Sequence, residues 1–327
     1  MKRGISLYSF QEEFFRGELD LEGCIREAVK MGGKEIELVS EQMFFRFPYT
    51  TDADYEKWKG YMDKYGAVSF AHDMNYDTKR FPGRLLTLQE MADWAKLNFT
   101  HAARMNVQGV RLNQVTPPEI WPVILEMAEK YGLTAGVEVH PPFHFGHPRI
   151  QQHLEAMDKL GSTRLGFIVD TGIFEKRFSR IKLNSYLRKG ANPKLAAYIR
   201  DVYDAGEAGE GLMEKVESMG GKSQDLILAR DVSRMVYIDP RTILPHMSRI
   251  LWVHAKFYEM TEAGEEYSIP FDEIISVLRE GGFDGCICSE YEGNRYIQDL
   301  GPVDSLTQVR RQQQMLARLL GEEKDDV

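Results

Sequence analysis

Four residues of the kind that ligate metals stand at or near the ends of apolar, strand-like segments. They are Glu138 in GVEVH, Asp170 in FIVD, His254 in WVHAK and Glu290 in CSEYEG. An unpaired charge buried in such a segment costs on the order of several kcal/mol, and three converging carboxylates also repel one another. A divalent cation removes that cost, so the pattern predicts one metal site. Oxygen and nitrogen ligands without a thiolate favour Mn²⁺, with Zn²⁺, Co²⁺ or Mg²⁺ as alternatives.

Three histidines follow Glu138 in the loop HPPFHFGH. A histidine can accept a proton near neutral pH, which suits removal of a C–H proton beside a carbonyl. His144 is our candidate for this base, because it lies six residues beyond Glu138 on a loop over the predicted ion. His140 shares the strand parity of Glu138 and is expected to bind substrate or an outer-shell group. His147 precedes Pro148 and a predicted helix, so a capping role and a functional role both stay open.

Three further polar residues stand at predicted strand ends and are weaker candidates for substrate binding. They are His72 in SFAHD, Asn113 in VRLNQ and Lys256 in HAK. Each could contact a substrate hydroxyl or polarise a carbonyl group, and each has a structural alternative of similar weight.

These side chains need a scaffold that brings strand ends together. Apolar, β-branched runs alternate with segments of helical periodicity, which is typical of parallel βα units. The predicted strands are Gly4–Ser9, Glu35–Val39, Ala67–Asp73, Gly109–Asn113, Thr134–His140, Leu165–Asp170, Ile250–Lys256 and Gly285–Glu290. Eight strands of this kind predict an α/β fold, a (β/α)8 TIM barrel, in which functional groups cluster at the carboxyl ends of the strands.

The domain organisation follows from the spacing of these segments. Residues 1–327 are predicted to form one TIM-barrel domain, and residues 174–249 between strands six and seven are too long for an ordinary connection. Their composition predicts a helical insertion that forms a lid or an interaction layer. The polar segment 321–327 is predicted to be a disordered tail.

Composition excludes several classes of protein. The formal net charge of −9 and the pI of about 5.5 argue against a nucleic-acid partner. Neither a run of about 18 apolar residues nor a signal-peptide pattern is present in the sequence. Three cysteines are too few for a disulfide framework, so we expect a cytoplasmic, soluble protein without membrane association.

The same motifs resemble the xylose-isomerase-like barrel superfamily, which includes sugar isomerases, ketose 3-epimerases and related lyases. The resemblance spans nearly the whole chain and depends on EIEL, GVEVH, IVDTG, HAK and SEYEG. A Glu, Asp, His and Glu set binds the metal in that superfamily, which corresponds here to the four candidate ligands. Ketose 3-epimerases usually carry a substrate-binding His and Arg where this chain has Ile173 and Met260.

The histidine loop and the long insertion also resemble the α subunits of bacterial C-glycoside deglycosidases. That resemblance implies a carbon–carbon lyase of carbohydrate metabolism, acting on 3-oxo-C-glycosides of flavonoids. His144 would remove the C2 proton and the aglycone would leave by β-elimination. It also implies a small β subunit and therefore a hetero-oligomer. The alternative is a metal-dependent sugar isomerase or ketose 3-epimerase; a DNA-repair enzyme or a catalytically idle scaffold on the same barrel is less well supported.

Overall fold

The computed structural model describes residues 1–44 and 46–322, and its centre is a closed barrel of eight parallel strands. In chain order the strands are β1 Lys2–Ser6, β2 Glu35–Leu38, β3 Val68–Met74, β4 Gly109–Leu112, β5 Thr134–Val139, β6 Leu165–Asp170, β7 Ile250–Phe257 and β8 Cys286–Tyr291. Each strand pairs with the next along the chain, and β8 pairs with β1 to close the barrel. The predicted (β/α)8 TIM barrel is confirmed.

Most predicted strands differ from the observed ones by one or two residues at their ends. The largest difference is in β1, which was predicted at Gly4–Ser9 but runs from Lys2 to Ser6. The next residues, Leu7–Phe10, form a buried 3₁₀ turn. Residues 4–10 are all buried, so burial alone did not separate strand from turn.

Helices surround the barrel and connect its strands. The α-helices of the described residues are Gln11–Phe15, Leu21–Lys30, Ser40–Met43, Asp52–Tyr65, Leu88–Met105, Trp121–Tyr131, Pro148–Leu160, Arg180–Arg188, Pro193–Asp204, Leu212–Ser218, Ser223–Ser233, Phe271–Glu280 and Ser305–Leu320. Shorter 3₁₀ turns lie at Leu7–Phe10, Pro118–Ile120, Thr171–Phe174, Pro240–Arg249, Gly293–Tyr296 and Gln298–Leu300. No helix of the described residues is both long and apolar enough to cross a membrane.

Local sequence explains where the long helices begin and end. Thr87 and Glu90 form a reciprocal capping box at the start of Leu88–Met105, which satisfies backbone N–H groups of the first turn. Gly132 and Gly161 end two other helices in the left-handed conformation, with φ of 70° and 65°. Glycine adopts this conformation without a Cβ penalty, so the sequence sets the helix length there.

The amino-terminal part of the barrel interior is apolar, and none of the four predicted metal ligands lies in it. A buried cluster fills it, consisting of Phe70, Ala71, Ile168, Trp252, Cys286 and Cys288. The two cysteine sulfurs lie 3.5 Å apart as free thiols and pack in this cluster. Because this apolar cluster fills one end of the barrel, the carboxyl ends of the strands are the place for a functional site.

Residues between β6 and β7 form four α-helices flanked by 3₁₀ turns. These helices pack around a separate apolar cluster, which includes Leu195, Ile199, Val216, Leu228 and Val232. The insertion therefore has its own small core beside the barrel.

The end of the chain is described as far as Glu322. Gly321 ends the last helix with φ of 74°, and the carboxylate of Glu322 accepts hydrogen bonds from the Arg3 guanidinium. Residues 323–327, most of the predicted tail of 321–327, lie outside the described residues.

Candidate active site

A fully buried imidazole links three carboxylates inside the barrel. His254 Nε2 lies 2.6 Å from Glu37 Oε1, and Nδ1 lies 2.8 Å from Glu138 Oε1. Nδ1 is also 3.7 Å from Glu290 Oε2. Burial alone would lower the pKa of His254, but these carboxylates hold that pKa well above its ordinary value. His254 thus stands at the centre of the acidic residues in the barrel.

A pair of carboxylates sits behind His254, on the Nε2 side of its ring. Burial, with Glu37 nearby, raises the pKa of Asp73 well above its usual range. Burial would also raise the pKa of Glu37, but His254 holds it below the ordinary value. Asp73 is therefore the protonated partner, and Glu37 is the anion that faces the imidazole.

Arg111 of β4 points into the barrel and pairs with Glu138. Its Nη2 donates to Glu138 Oε2, while Nη1 donates to Asn75 Oδ1 at 3.0 Å. Burial would raise the pKa of Glu138, but Arg111 and then His254 hold it well below the usual range. One carboxylate oxygen of Glu138 is therefore held by Arg111, and the other faces His254.

A second buried cation, Lys256, lies between the remaining acids. Its Nζ is 2.5 Å from Asp170 Oδ2, 3.7 Å from Glu290 Oε2 and 3.4 Å from Glu292 Oε2. Burial would raise the pKa of Glu292, but Lys256 and other cations bring it down to about 2. Burial with nearby Glu138 and Asp170 raises the pKa of Glu290 to about 7, against the lowering effect of His254 and Lys256.

The donor set fits a divalent cation. Ligand atoms of Glu138, His254 and Glu290 lie within 4.8 Å of one another, and so do those of Glu37, Asp73 and His254. Glu290 Oε2 is buried without a hydrogen-bond partner among the described residues, 3.7 Å from both His254 Nδ1 and Lys256 Nζ. Asp170, the fourth predicted ligand, belongs to neither group of three; its carboxylate is instead paired with Lys256.

Of the two groups, the one formed by Glu138, His254 and Glu290 fits a metal better. Metal-ligating histidines usually donate their other ring N–H to a carboxylate, which fixes the tautomer. Glu37 Oε1 lies 2.6 Å from Nε2, on the side away from Glu138 and Glu290. An ion held by Glu138 and Glu290 would take the Nδ1 lone pair in place of the proton that the raised pKa keeps there in the metal-free site. Asp73 and Glu37 compensate each other by sharing a proton, so they do not need a cation.

The three loop histidines occupy different environments. His140 Nε2 lies 3.6 Å from Asp170 Oδ2, and its other nitrogen contacts the Pro141 carbonyl at 2.6 Å. The His144 side chain makes no hydrogen bond within residues 1–44 and 46–322, and burial followed by the nearby His147 lowers its pKa. His147 Nδ1 accepts from the Arg149 backbone N–H at 3.1 Å and caps the helix that begins at Pro148.

A cavity of about 310 Å³ opens beside these histidines, and we call it the loop–insertion cavity. One wall is the histidine loop with Pro141, Phe143 and His144, and the opposite wall is the insertion with Met235 and Val236. Gly172, which follows Asp170, closes the side toward the barrel acids.

Two predicted substrate contacts, His72 and Asn113, have different surroundings. His72 is fully buried in the helix layer, where Nδ1 contacts Ser40 Oγ at 3.1 Å and Nε2 contacts Asn98 Oδ1 at 2.8 Å. Burial lowers the pKa of His72 to about 4. Asn113 closes the turn after β4, accepting from Thr116 through its backbone and side-chain oxygens. His72 therefore leaves the set of proposed substrate contacts, while Asn113, partly exposed directly after β4, stays in it.

The outward orientation of His72 has a local cause. The register between β2 and β3 shifts by one residue at Ile36 and Glu37, which is a β-bulge. Phe70 and Ala71 therefore both pack in the barrel interior, and strict alternation resumes with Asp73 facing inward. A one-residue shift of this kind turns the following side chains to the opposite face.

Sequence reasoning missed Glu37, Asp73, Arg111 and Glu292. A signal existed for two of them, because Glu37 stands inside EIEL and Arg111 is a charged residue inside the apolar strand VRL. A charge at an inward position of a barrel strand must be paired, which marks such residues as part of the site.

The fold matches solved structures of sugar-processing barrels. A D-allulose 3-epimerase from Methylomonas sp. superposes with a TM-score of 0.57 at 11% identity, covering 98% of each chain. The IOLI protein, solved with a bound zinc atom, gives the same TM-score, identity and coverage. At this identity these likenesses describe the fold alone.

Curated relatives match over nearly the full length. A C-glycoside deglycosidase alpha subunit from Microbacterium trichothecenolyticum is 29% identical over 340 residues, covering 98% of this chain and 91% of the relative. A 3'-dehydrocarminate deglycosidase alpha subunit from Microbacterium sp is 30% identical over 334 residues, covering 98% and 95%.

Relatives and fold together support an enzyme. A family model described as a xylose isomerase-like TIM barrel matches residues 25–319, which contain all four predicted ligands and the histidine loop. The chain therefore belongs to the xylose isomerase-like TIM barrel family.

Proposed function

We propose that this protein cleaves the C–C glycosidic bond of 3-oxo-C-glycosides and so acts as a carbon–carbon lyase. The observation that carries the proposal is the position of His144, a half-buried imidazole without a hydrogen-bond partner in the described residues, in the wall of a cavity that also reaches Gly172, two residues after Asp170. The names of the full-length relatives support the same substrate class.

The reaction follows from the acidity of the substrate. A carbonyl at C3 acidifies the C2 proton, and in this proposal His144 accepts that proton. The C2 electron pair forms the C1=C2 bond, and the bonding pair of C1 leaves with the aglycone carbon. That carbon takes one proton, from the imidazolium or from water, so the step needs no net oxidant or reductant. The products are the free aglycone and an unsaturated oxo-sugar.

Glu138, His254 and Glu290 would hold the divalent ion, with Mn²⁺ as the proposed metal because the donors are oxygen and nitrogen. Asp170 remains the proposed fourth ligand, which requires its ion pair with Lys256 to open. When bound, such an ion supplies positive charge that stabilises negative charge developing on a substrate oxygen.

Other residues of the chain orient the sugar. His140 lies beside Asp170 with its side chain a quarter exposed, so it can donate to a sugar hydroxyl. Lys256, once released from Asp170, presents an ammonium group to an oxygen of the substrate. The Arg111 guanidinium holds Glu138 in the charged form.

The alternative is a sugar isomerase or ketose 3-epimerase, which the fold also fits. Two positions argue against it. Ile173 and Met260 stand where an epimerase would bind its sugar, and both are apolar and buried, with exposures of 4% and 2%. Neither side chain can donate to a sugar hydroxyl.

The test compares substrates on the purified chain with Mn²⁺, with and without a co-expressed small subunit, since the relatives are named alpha subunits. A 3-oxo-C-glucoside should release its aglycone, and a ketohexose should be returned unchanged, as measured by mass spectrometry. His144→Gln should reduce the rate by about 10²–10⁴-fold. His153→Gln is the matched control, because that histidine is buried in the next helix and contacts Trp121. Epimerised ketose without aglycone release would reject the proposal.

A further inference from the structure

We infer that the insertion is a lid that rotates about the helix Arg180–Arg188 and closes toward the histidine loop over His144. We call Arg180–Arg188 the pivot helix. The helices that move, which we call the lid helices, are Pro193–Asp204, Leu212–Ser218 and Ser223–Ser233. This motion goes beyond the proposed chemistry, because it controls access to His144 for any small substrate of the site.

Both ends of the pivot helix are bound to loops at the carboxyl ends of the strands. The Arg188 guanidinium forms two hydrogen bonds of 2.8 Å to the carboxylate of Asp299, and it also donates to the carbonyl oxygen of Tyr296. At the other end, Arg180 Nη2 lies 3.0 Å from Glu259 Oε1. Because these partners follow β7 and β8, the pivot helix is attached to that side of the barrel.

A buried contact holds the middle of the pivot helix in place. Lys182 Nζ donates to Glu175 Oε2 at 2.6 Å and lies 3.6 Å from the centroid of the Tyr258 ring. Both charged side chains are buried, so separating them would leave an uncompensated charge away from water. The pivot helix therefore stays with the barrel when the rest of the insertion moves.

The lid helices lack comparable bonds to the barrel. Within the described part of the chain, every hydrogen bond and ion pair of residues 190–235 has its partner inside residues 175–235. Their apolar side chains, such as Leu195 and Leu228, belong to the cluster of the insertion and not to the main core. The lid helices therefore form one body that is connected to the barrel through the pivot helix.

The edge of the insertion opposite the pivot helix faces the histidine loop and is free. Among the residues that the structure describes, no hydrogen bond or ion pair joins residues 175–239 to residues 140–147. The loop–insertion cavity of about 310 Å³ lies between them. A body held along one edge and free along the other can rotate about the held edge, so opening and closing break no polar contact here.

The chain connections on either side of the lid helices allow this rotation. Gly190 has a φ of 98°, and a Cβ built on it would meet no atom within 4 Å. Residues 235–239 form neither helix nor strand and border the cavity. Hinge motions are absorbed by a few loop residues of this kind. Val236 in this segment is 58% exposed, and closure would remove its apolar surface from water.

Closure would also change the surroundings of His144. A lid that meets the histidine loop excludes water from the space beside the imidazole, which protects a carbanion formed there from stray protonation. An open lid admits the substrate and releases the products.

Distances between spin labels on the full-length, metal-free chain test the motion. One pair places cysteines at Glu155, on the helix that follows the histidine loop, and at Met219, an exposed residue beside a lid helix. Double electron–electron resonance should give two distances that differ by more than about 2 Å. The matched pair, Glu155 with Asn184 on the pivot helix, should give one narrow distance. The three native cysteines are buried and should stay unlabelled.

Arg188→Gln tests the pivot, because glutamine cannot form the paired bonds to Asp299. It should broaden the distance distribution of both spin-label pairs. Arg200→Gln is the matched control, since Arg200 pairs with Asp201 of the same lid helix, and it should leave both distributions unchanged. Equally narrow distributions for the two pairs in the unmodified protein, or equal effects of the two substitutions, would overturn the inference.

A disulfide across the cavity tests whether the lid reaches the histidine loop. Phe143→Cys and Val236→Cys lie in opposite walls, and a disulfide requires their Cβ atoms to approach to about 3.5–4.5 Å. The double variant should form the disulfide under mild oxidation, whereas Phe143→Cys with Met219→Cys should not. Failure of the first pair to form it would show that the lid does not close.

An aglycone-release assay on the same preparation separates this inference from the proposed function. Release of aglycone by a protein with a single lid distance rejects the lid and retains the lyase activity. Two lid distances without release of aglycone reject the lyase activity and retain the lid.

Discussion

His254 Nε2 and Glu37 Oε1 lie 2.6 Å apart, both fully buried, on the side of the imidazole that faces away from Glu138. A carboxylate at this nitrogen keeps its proton there and leaves Nδ1 as the lone pair for a ligand. Glu37 therefore sets the tautomer of the central histidine, although it is not itself one of the proposed ligands.

Glu37→Gln should weaken binding of Mn²⁺ by about 10–100-fold, because the amide no longer fixes the imidazole tautomer. Metal titration of the purified protein measures this directly. Glu35→Gln is the matched control, since Glu35 lies two residues earlier on the same strand, 3.9 Å from Lys2. Equal affinities for the two variants would contradict the proposed role of Glu37.

Lys256→Met should lower the free energy of unfolding of the metal-free protein by about 3–5 kcal/mol, because Asp170 and Glu292 lose their buried cation. Saturating metal should restore about 2–3 kcal/mol, the linkage expected at a hundredfold excess over the Kd. Denaturant unfolding with and without a chelator measures both.

The control for this variant is Lys182→Met. Lys182 is also buried and pairs with Glu175 at 2.6 Å, but in the segment that leads into the insertion. It should destabilise to a similar degree and gain no more from metal than the unmodified protein. Metal rescue of both variants alike would show that Lys256 does not compete for the proposed ligands.

Gly172→Ala should reduce kcat/KM by about tenfold or more and lower the free energy of unfolding by only about 1–3 kcal/mol. The added methyl group would press on Asp170 and Lys256 and displace their carboxylate and ammonium groups. Gly60→Ala is the control, because open space surrounds that helical position; it should stabilise by about 0.5–1 kcal/mol and leave turnover unchanged. Full activity of Gly172→Ala would show that the neighbours adapt freely.

The stability of the protein should fall in mild acid through His153. Trp121 Nε1 donates to its Nδ1 at 3.0 Å, and burial followed by Arg149 lowers the pKa of His153 from 6.5 to about 4. The unfolded chain binds the proton first as the pH falls below 6.5, so the folded state loses up to about 3 kcal/mol by pH 4. Above pH 6.5 the contribution is fully present.

His153→Gln should remove the share of this pH dependence that comes from His153, up to about 3 kcal/mol, because glutamine does not titrate, while buried His72 keeps its own share. Denaturant unfolding of both proteins between pH 7.5 and 4.5 gives the difference. Parallel pH profiles for the two proteins would exclude His153 as the group that titrates.

The barrel was predicted well because one pattern, an apolar strand-like run followed by a helical segment, recurs along the sequence. Eight apolar runs bounded by helix caps leave little freedom in topology, and strands such as Leu165–Asp170 were located to the residue. The candidate ligands were chosen on the same ground, since strand ends in a barrel meet at one rim, and ligand atoms of Glu138, His254 and Glu290 do lie within 4.8 Å of one another.

The contacts of the site were harder to predict because they depend on register and pairing. The bulge between β2 and β3 turned His72 outward and Asp73 inward, and no residue type marks it in the sequence. Lys256 was expected to meet substrate, yet it lies 2.5 Å from Asp170. Several acids lie near Lys256, and which of them pairs with it depends on side-chain positions that the sequence does not specify.

The insertion packs around its own apolar cluster while lending Met235 and Val236 to the cavity. Mutations that reshape this wall leave the strands and their buried acids untouched. Under the proposed function, sequence changes in the insertion can therefore alter which leaving group is accepted while the residues of the proton transfer stay the same. Exchange of residues 174–249 between homologues is the direct way to change that selectivity.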